Sequence, residues 1–365
     1  MFRYLFFLVI LFPFLLTSCS DTQQDAKSST TSLTGSQQDT TNTTTNTIDS
    51  SKDEHHHDSD LEGTLSVMVL GSGGPAPTEA ARASAGYLIF ADQKPVVLMD
   101  AGGGSYARML EAGVDVKDLD IILISHLHID HIGALSAIVK SIFFQNRIAG
   151  TNRTAPFLFF GPDANGVPFP NTTISQYPSM SVYTHGLYDM DGGLERYLHV
   201  FSRAISGGEF HFEVHDLSID MQASIQEVYS RDGLVIKSIA VNHGPVPAVG
   251  FRVEYKGKSI AYSGDTSSKS DNMIDLSMDT DLLIYDTAIM DDKPDGPNDG
   301  VFFALHTTPT RIGQVATAAH AKTLLLSHIT RVTESRLDTV ESLVKAQGYA
   351  GNIKQAEDLM LINLD

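Results

Sequence analysis

The pattern of apolar and polar positions changes twice along the chain. After Arg3, residues 4 to 16 are almost entirely apolar. That run is short for a bilayer span and sits at the extreme N-terminus behind one positive charge, which fits an export signal. Residues 20 to about 60 are Ser, Thr, Gln, Asn and Asp with almost nothing apolar. Such a segment cannot bury enough surface to offset its ordering entropy, and it reads as a disordered tether. From Thr64 onward, apolar runs of strand length alternate with stretches of helical period.

TLSVMVLG (64–71) predicts a strand, and Gly71-Ser-Gly-Gly-Pro75 predicts a turn after it. SAGYLIFA (84–91) and PVVLMD (95–100) are two more strands joined by Asp92-Gln93-Lys94, and SYARMLEAG is a helix ending at Gly113. DIILIS (120–125) is continuously apolar, as expected of a strand buried on both faces. GALSAIVKSIFF then has helical period, so whatever lies between sits in a strand-to-helix loop. Residues 145 to 235 are less regular, with strands expected at PFLFFGP, EFHFEVHDL and MQASIQEVY. Strands follow at LVIKSIAV, AVGFRVEY, KSIAYSG, DLLIYD, KTLLLSH and EDLMLINL, with helices at 308–320 and 334–348. No internal repeat is present. Many strands in two sets, with helices outside each, predict an α/β layered sandwich.

The strand-to-helix loop holds His126-Leu-His128-Ile-Asp130-His131. Three imidazoles and a carboxylate within six positions are too many donors for one tetrahedral ion from so short a loop. Two ions sharing the loop is the natural geometry. Neutral imidazoles suit zinc, and the carboxylate makes manganese or iron compatible. His243, Asp265 and His328 each follow an apolar strand, where site residues gather on a rigid scaffold.

The remaining chemistry is bounded by composition. The single cysteine is Cys19, which excludes an internal disulfide and a thiolate site in the folded part. Leu16-Thr17-Ser18-Cys19 resembles the bacterial lipoprotein box, which implies cleavage after residue 18, an acylated Cys19 and a membrane anchor. The expected organisation is a signal peptide over 1–18, a lipidated tether over 19–62 and a folded domain over 63–365, exported and held at the cell envelope (the outer membrane in a Gram-negative source). His55, His56 and His57 read as part of the solvated tether. The net charge of −19, from 25 Lys plus Arg against 44 Asp plus Glu, argues against a nucleic-acid partner and for a small-molecule ester.

Taken in order, Asp100 in LMDAG, the HxHxDH cluster, His243, Asp265 and His328 resemble the metallo-β-lactamase superfamily across residues 64 to 364. The resemblance implies a four-layer αββα fold and two divalent metal ions, zinc first. It gives one ion His126, His128 and His243, the other Asp130, His131 and His328, with Asp265 bridging and Asp100 structural. GSGGPAPTEAARASAGYLI and LHTTPTRIGQVATAAHAKTLLLSHITR resemble the ribonuclease Z, arylsulfatase and cyclic-nucleotide phosphodiesterase branch. By that likeness His306 assists the leaving group or the transition-state oxygens, and Asp286 stands where many relatives have Glu, outside the ligand set. The reaction implied is hydrolysis of a phosphodiester or sulfate ester by a hydroxide bridging the metals, with Asp130 orienting it. A lactonase or other carboxylic-ester hydrolase is the competing enzyme, and a non-catalytic metal-binding lipoprotein is the competing class.

Two departures bear on the branch. Only Lys256 and Gly257 separate AVGFRVEY from KSIAYSG, where ribonuclease Z carries a long arm. NHGPVP at His243 differs from the run typical of β-lactamases. Elsewhere, His211, Glu213 and His215 alternate on one strand face and read as its polar side, with Phe210, Phe212 and Val214 inside. His320 reads as a helix C-terminal residue. His185 and His199 take no role. Phe143, Phe144, Phe169, Tyr177 and Tyr183 read as core rather than as pocket.

Overall fold

A computed structural model of the chain describes residues 61–189, 191, 193, 194, 197, 198, 209–292 and 299–365. Cys19, the signal and tether segments, His55 to His57 and His199 lie outside the described residues. Among the described residues, no helix is long and apolar enough to cross a membrane.

The first sheet contains β1 (Leu65–Gly71), β2 (Gly86–Ala91), β3 (Lys94–Ala101), β4 (Ile121–Leu123), β5 (Phe157–Pro162), β6 (Phe212–Leu217) and β14 (Leu361–Leu364). Their spatial order is β14-β1-β2-β3-β4-β5-β6. The second sheet contains β7 (Gln226–Arg231), β8 (Leu234–Ala240), β9 (Val249–Tyr255), β10 (Lys258–Tyr262), β11 (Leu282–Asp286), β12 (Thr323–Ser327) and β13 (Asn352–Gln355). It runs β13-β12-β11-β10-β9-β8-β7, so each sheet has seven strands. Both sheets are mixed: β1 to β3 and β7 to β10 pair antiparallel, while β3 to β6 and β10 to β13 pair parallel.

Alternation along the strands explains the layers. Leu65, Val67 and Val69 of β1 point between the sheets, with Tyr87 and Ile89 of β2 and Leu282 and Ile284 of β11. Their neighbours Met68, Leu70, Leu88 and Phe90 point outward, onto α1 (Ser105–Glu111) and α3 (Leu135–Ile148). On the other side Leu283, Tyr285, Leu324 and Leu326 pack against α7 (Pro309–Ala318) and α8 (Leu337–Lys345). A strand with both faces covered reads as continuously apolar, and here the period-two faces feed two different cores. The outcome is the expected αββα sandwich. Each fully buried Leu, Ile or Phe contributes about 1.5–3 kcal/mol to holding the layers together.

Three local details differ from the sequence expectation. Gly71 closes β1 and the following glycines continue in extended backbone, with no left-handed φ at Gly71, Gly73 or Gly74. They are there for close approach: a Cβ on Gly71 would sit 1.8 Å from the Ser84 carbonyl oxygen. The loop after β4 contains a helical turn, α2 (Ile129–Ile132). Short elements with weak sequence periodicity were not foreseen: α4 (Met180–Tyr188), α5 (Asn272–Leu276), α6 (Asp299–Leu305) and the edge strand β13.

Candidate metal centre

The centre lies at one end of both sheets, where several strands stop. On the first sheet, Asp100 near the end of β3 organises the ligand loop. It is fully buried and adopts φ 54°, a left-handed conformation uncommon for a residue with a side chain. Its Oδ1 accepts the Ser125 backbone N–H at 2.7 Å, and its Oδ2 accepts the Ser125 and Tyr262 hydroxyls, each at 2.7 Å. The same Oδ2 takes the His131 Nδ1–H at 2.7 Å, which turns the His131 Nε2 lone pair toward the centre. Asp100 is therefore a clamp on the loop and not a donor to the centre. Sequence reading missed Tyr262 and Ser125 as members of this clamp, since a Tyr in a strand and a Ser before a histidine carry no distinctive signal.

The other residues arrive singly. His243 follows β8, and its Nδ1–H donates to the Leu305 carbonyl at 2.8 Å, leaving Nε2 to face inward. Asp265 follows β10 and is 2% exposed. His328 directly follows β12, again with a left-handed φ of 55°. Its ring lies against Gly74, where a Cβ would come within 2.8 Å of Cε1, so the glycine run serves to make room for this imidazole.

Together these residues form two groups around Asp265. His126, His128, His243 and Asp265 offer donor atoms that all lie within 4.8 Å of one another, as do Asp130, His131, Asp265 and His328. His126 Nε2 lies 2.9 Å from His128 Nδ1 and 3.8 Å from Asp265 Oδ2. His328 Nε2 lies 3.2 Å from Asp130 Oδ2 and 3.3 Å from Asp265 Oδ1. Buried His131 Nε2 and Asp265 Oδ1 lie 3.4 Å apart with no hydrogen-bond partner. Buried polar atoms without partners are costly, and a cation between them, taken in exchange for the ring's proton, is the arrangement that satisfies both. The nitrogen and oxygen donor set suits divalent ions.

The two groups differ electrostatically. Burial holds His126 well below the usual imidazole range, lowers His128, and pushes His243 down to about 4. These rings are neutral at pH 7. Burial is the largest single influence on His131 and His328 and opposes their charge, but the surrounding carboxylates together outweigh it: Asp265, Asp100 and Asp130 at His131, and Asp265, Asp130 and Asp286 at His328. His131 is raised well above its ordinary value and His328 to about 10. For Asp130, burial is overcome by the neighbouring His131 ring and by the hydrogen bond from His328, which keep the carboxyl ionised.

His306 and Asp286 form a third element. His306 follows α6, and its Nδ1–H donates to Asp286 Oδ2 at 2.8 Å. Asp286 Oδ1 also sits 3.3 Å from His328 Nδ1, a charge contact longer than a well-formed hydrogen bond. The His306 ring stacks against His328 with centroids 5.6 Å apart. Burial lowers the His306 imidazole, but Asp286 outweighs it and raises the net value. Thr308, not His306, caps α7. Thus Asp286 orients His306 while facing the second group.

Two cavities flank the centre. One of about 270 Å³ includes His128, Ile129, Tyr177, Tyr183 and Pro247 in its wall. Another of about 360 Å³ includes Asn165, Gln176, Asn242, His243 and Pro247. The aromatics of the irregular region therefore divide: Phe143 is core, Phe144 and Phe169 are exposed, Tyr183 packs against the core while also lining the cavity, and Tyr177 is cavity wall, against the expectation of core. His211, just before β6, and His215, on it, are exposed and join no metal-type cluster among the described residues. His185 pairs with Asp189, and His320 follows α7 with an exposed contact to Asp279.

The comparisons with known proteins agree with this geometry. The family described as "Metallo-beta-lactamase superfamily" matches residues 81–328. Ribonuclease Z of Mycolicibacterium paratuberculosis is 25% identical over 309 residues, spanning 82% of this chain and 99% of that protein. Ribonuclease Z of Methanosarcina acetivorans is 24% identical over 324 residues, spanning 82% and 98%. The crystal structure of the short form of human tRNase Z superposes with a TM-score of 0.58 at 20% identity, covering 82% of this chain and 99% of that chain. The metallo-beta-lactamase fold protein YhfI of Bacillus subtilis gives 0.56 at 20% identity, covering 82% and 98%.

These relatives overturn one expectation. The acidic composition argued against a nucleic-acid partner, yet proteins named for action on RNA align along 82% of the chain. Net charge is a sum over the whole surface, and it does not report the groups that meet a substrate at one cleft. The two-residue turn between β9 and β10 likewise leaves the centre itself unchanged, because that turn lies at the opposite end of those strands from Asp265. With paired His/Asp groups at the strand ends of an αββα sandwich, and with the family match across the same residues, the chain belongs to the metallo-beta-lactamase superfamily and is a metal-dependent hydrolase.

Proposed function

We propose that the chain is a dinuclear phosphodiesterase whose substrates include phosphodiesters of nucleic-acid origin. The observation that carries this reading is the His306–Asp286 pair, 2.8 Å apart, beside the two His/Asp groups. His126, His128 and His243 would hold one divalent ion, Asp130, His131 and His328 the other, and Asp265 both. Zinc fits the donors first, and manganese or iron fits them too. Bound ions supply Lewis acidity and bring the acidity of water toward neutral pH.

The chain's own residues supply the rest. Asp130, kept ionised, accepts a hydrogen bond from the attacking water and orients it. His306, with Nδ1–H engaged by Asp286, presents Nε2 to the departing oxygen and hands it a proton. The raised His306 value, in which Asp286 outweighs burial, keeps that proton available near neutral pH. Phosphorus is preferred to sulfur because the whole-domain relatives are named ribonuclease Z.

The test is elemental analysis with turnover on one sample. Bis-p-nitrophenyl phosphate, a short oligoribonucleotide and p-nitrophenyl sulfate are assayed with wild type and His306→Ala. About two metals per chain, with phosphodiester turnover that drops roughly a hundredfold in the variant at unchanged metal content, is the expected result. Metal-loaded protein that cleaves no phosphodiester would sink the reading. We also propose export and acylation at Cys19, on the strength of the Leu16-Thr17-Ser18-Cys19 sequence. Palmitate labelling in a bacterial host, lost in Cys19→Ala, tests that separately.

A further inference from the structure

The smaller cavity beside the centre has a composition that the hydrolytic chemistry does not require. Its wall has no Asp, Glu, Lys or Arg. Tyr177 and Tyr183 face it together with prolines and aliphatic side chains, and His128 belongs both to this wall and to the first His/Asp group. A group bonded to a phosphate at the centre therefore reaches the cavity without leaving the site. The volume, about 270 Å³, lies below the usual range for drug-sized ligands, so it suits one ring system and not an extended chain.

Two further observations favour a flat polar-edged ring over a lipid tail. Neither the Tyr177 nor the Tyr183 hydroxyl has a hydrogen-bond partner among the described residues, which leaves both for a ligand. Both tyrosines line the same wall, which offers two aromatic rings for a flat ligand to pack against. Tyrosine combines an apolar face for stacking with a polar tip for edge contacts.

We infer that this cavity seats a nucleobase carried by one arm of the scissile phosphodiester, with Tyr177 and Tyr183 as specificity-determining residues. The inference rests on the phosphodiesterase reading for its reaction, but not for its binding. Base stacking on aromatic side chains is tolerant of base identity, so the pocket selects for the presence of a base more than for its sequence.

The experiment has two arms, both on metal-loaded full-length protein. In the first, ApA is compared with its two analogues in which one adenine is replaced by hydrogen. Wild type should prefer ApA over one analogue by about tenfold in kcat/KM. That ratio should collapse in Tyr183→Ala and fall only partly in Tyr183→Phe, which keeps the ring and loses the hydroxyl, whereas a general folding defect lowers all substrates alike and leaves the ratio intact. A ratio near one in wild type, or a ratio untouched by Tyr183→Ala, overturns the inference. In the second arm, calorimetry compares AMP with ribose 5-phosphate. Tighter AMP binding that disappears in Tyr183→Ala supports the pocket even if no phosphodiester is cleaved, in which case only the reaction class fails. Phosphodiester cleavage with no advantage for AMP leaves the reaction class standing and removes the pocket.

Discussion

His126, His128, Asp130 and His131 reach the centre from one stretch after β4, whereas His243, Asp265, Asp286, His306 and His328 come from five places on and around the second sheet. The first set depends on one clamp, Asp100, which holds Ser125 and His131 at once. The second depends on strand register. Asp286 pairs with Ser327 in the parallel ladder, which places His328 one residue beyond and beside it. A compact loop is a local solution and tolerates changes elsewhere. A dispersed set is right only if the whole sheet is right, because a one-residue slip turns side chains to the other face.

Asp265→Ala breaks the comparison most completely, since that carboxylate belongs to both groups. Turnover should fall by roughly a thousandfold or more, and metal content should drop well below two per chain by elemental analysis. Retention of both metals would assign the bridge elsewhere. His306→Ala comes next, with kcat about a hundredfold lower at full metal content. Asp286→Asn should cost about ten- to a hundredfold in activity, because it releases the His306 ring and also a contact to His328. An effect on turnover with no change in the affinity of either ion would limit Asp286 to the His306 role.

Gly74→Ala is a finer probe. The new Cβ would press on the His328 ring at 2.8 Å, so competition with a chelator should show the second ion about tenfold weaker and the first unchanged. Proton release sharpens the electrostatic contrast. His131 and His328 have raised values, so without metal they hold protons at pH 7, and ions taking their lone pairs must expel about two protons. His126, His128 and His243 are lowered and already neutral, so they release none. Affinity at the second group should therefore rise with pH up to about 10, the value to which His328 is raised, while affinity at the first stays level across neutral pH. Titration with zinc in weakly buffered solution at pH 7 reads this directly.

Much of the sandwich was visible in the chain. Thirteen apolar-rich runs bounded by breakers marked most strands, most plainly β11 and β12, because strands covered on both faces are apolar nearly throughout. The short edge strand β13 and the helix α4 were not visible. Asn352–Gln355 is half exposed and carries no apolar run, and α4 is held by Ser179 capping and by contacts to β5 and β6 more than by its own pattern. The glycine-rich stretch after β1 misled for a related reason. Glycine signals either a left-handed φ or a close neighbour, and only the position of Ser84 and His328 distinguishes the two.

The sequence by itself determined the donor types, the density of the 126–131 cluster and the apolar strands that end at His243, Asp265 and His328, because residue chemistry and periodicity are local properties. Tertiary structure decided what those residues do to one another. It put Tyr262 on Asp100, His306 on Asp286 and Gly74 under His328, and it gave one group neutral imidazoles and the other basic ones. It also placed Tyr177 in a cavity wall, with Tyr183 between that cavity and the core. Burial and pair distances set those outcomes, and both depend on contacts between residues that lie on different elements, which no local pattern records.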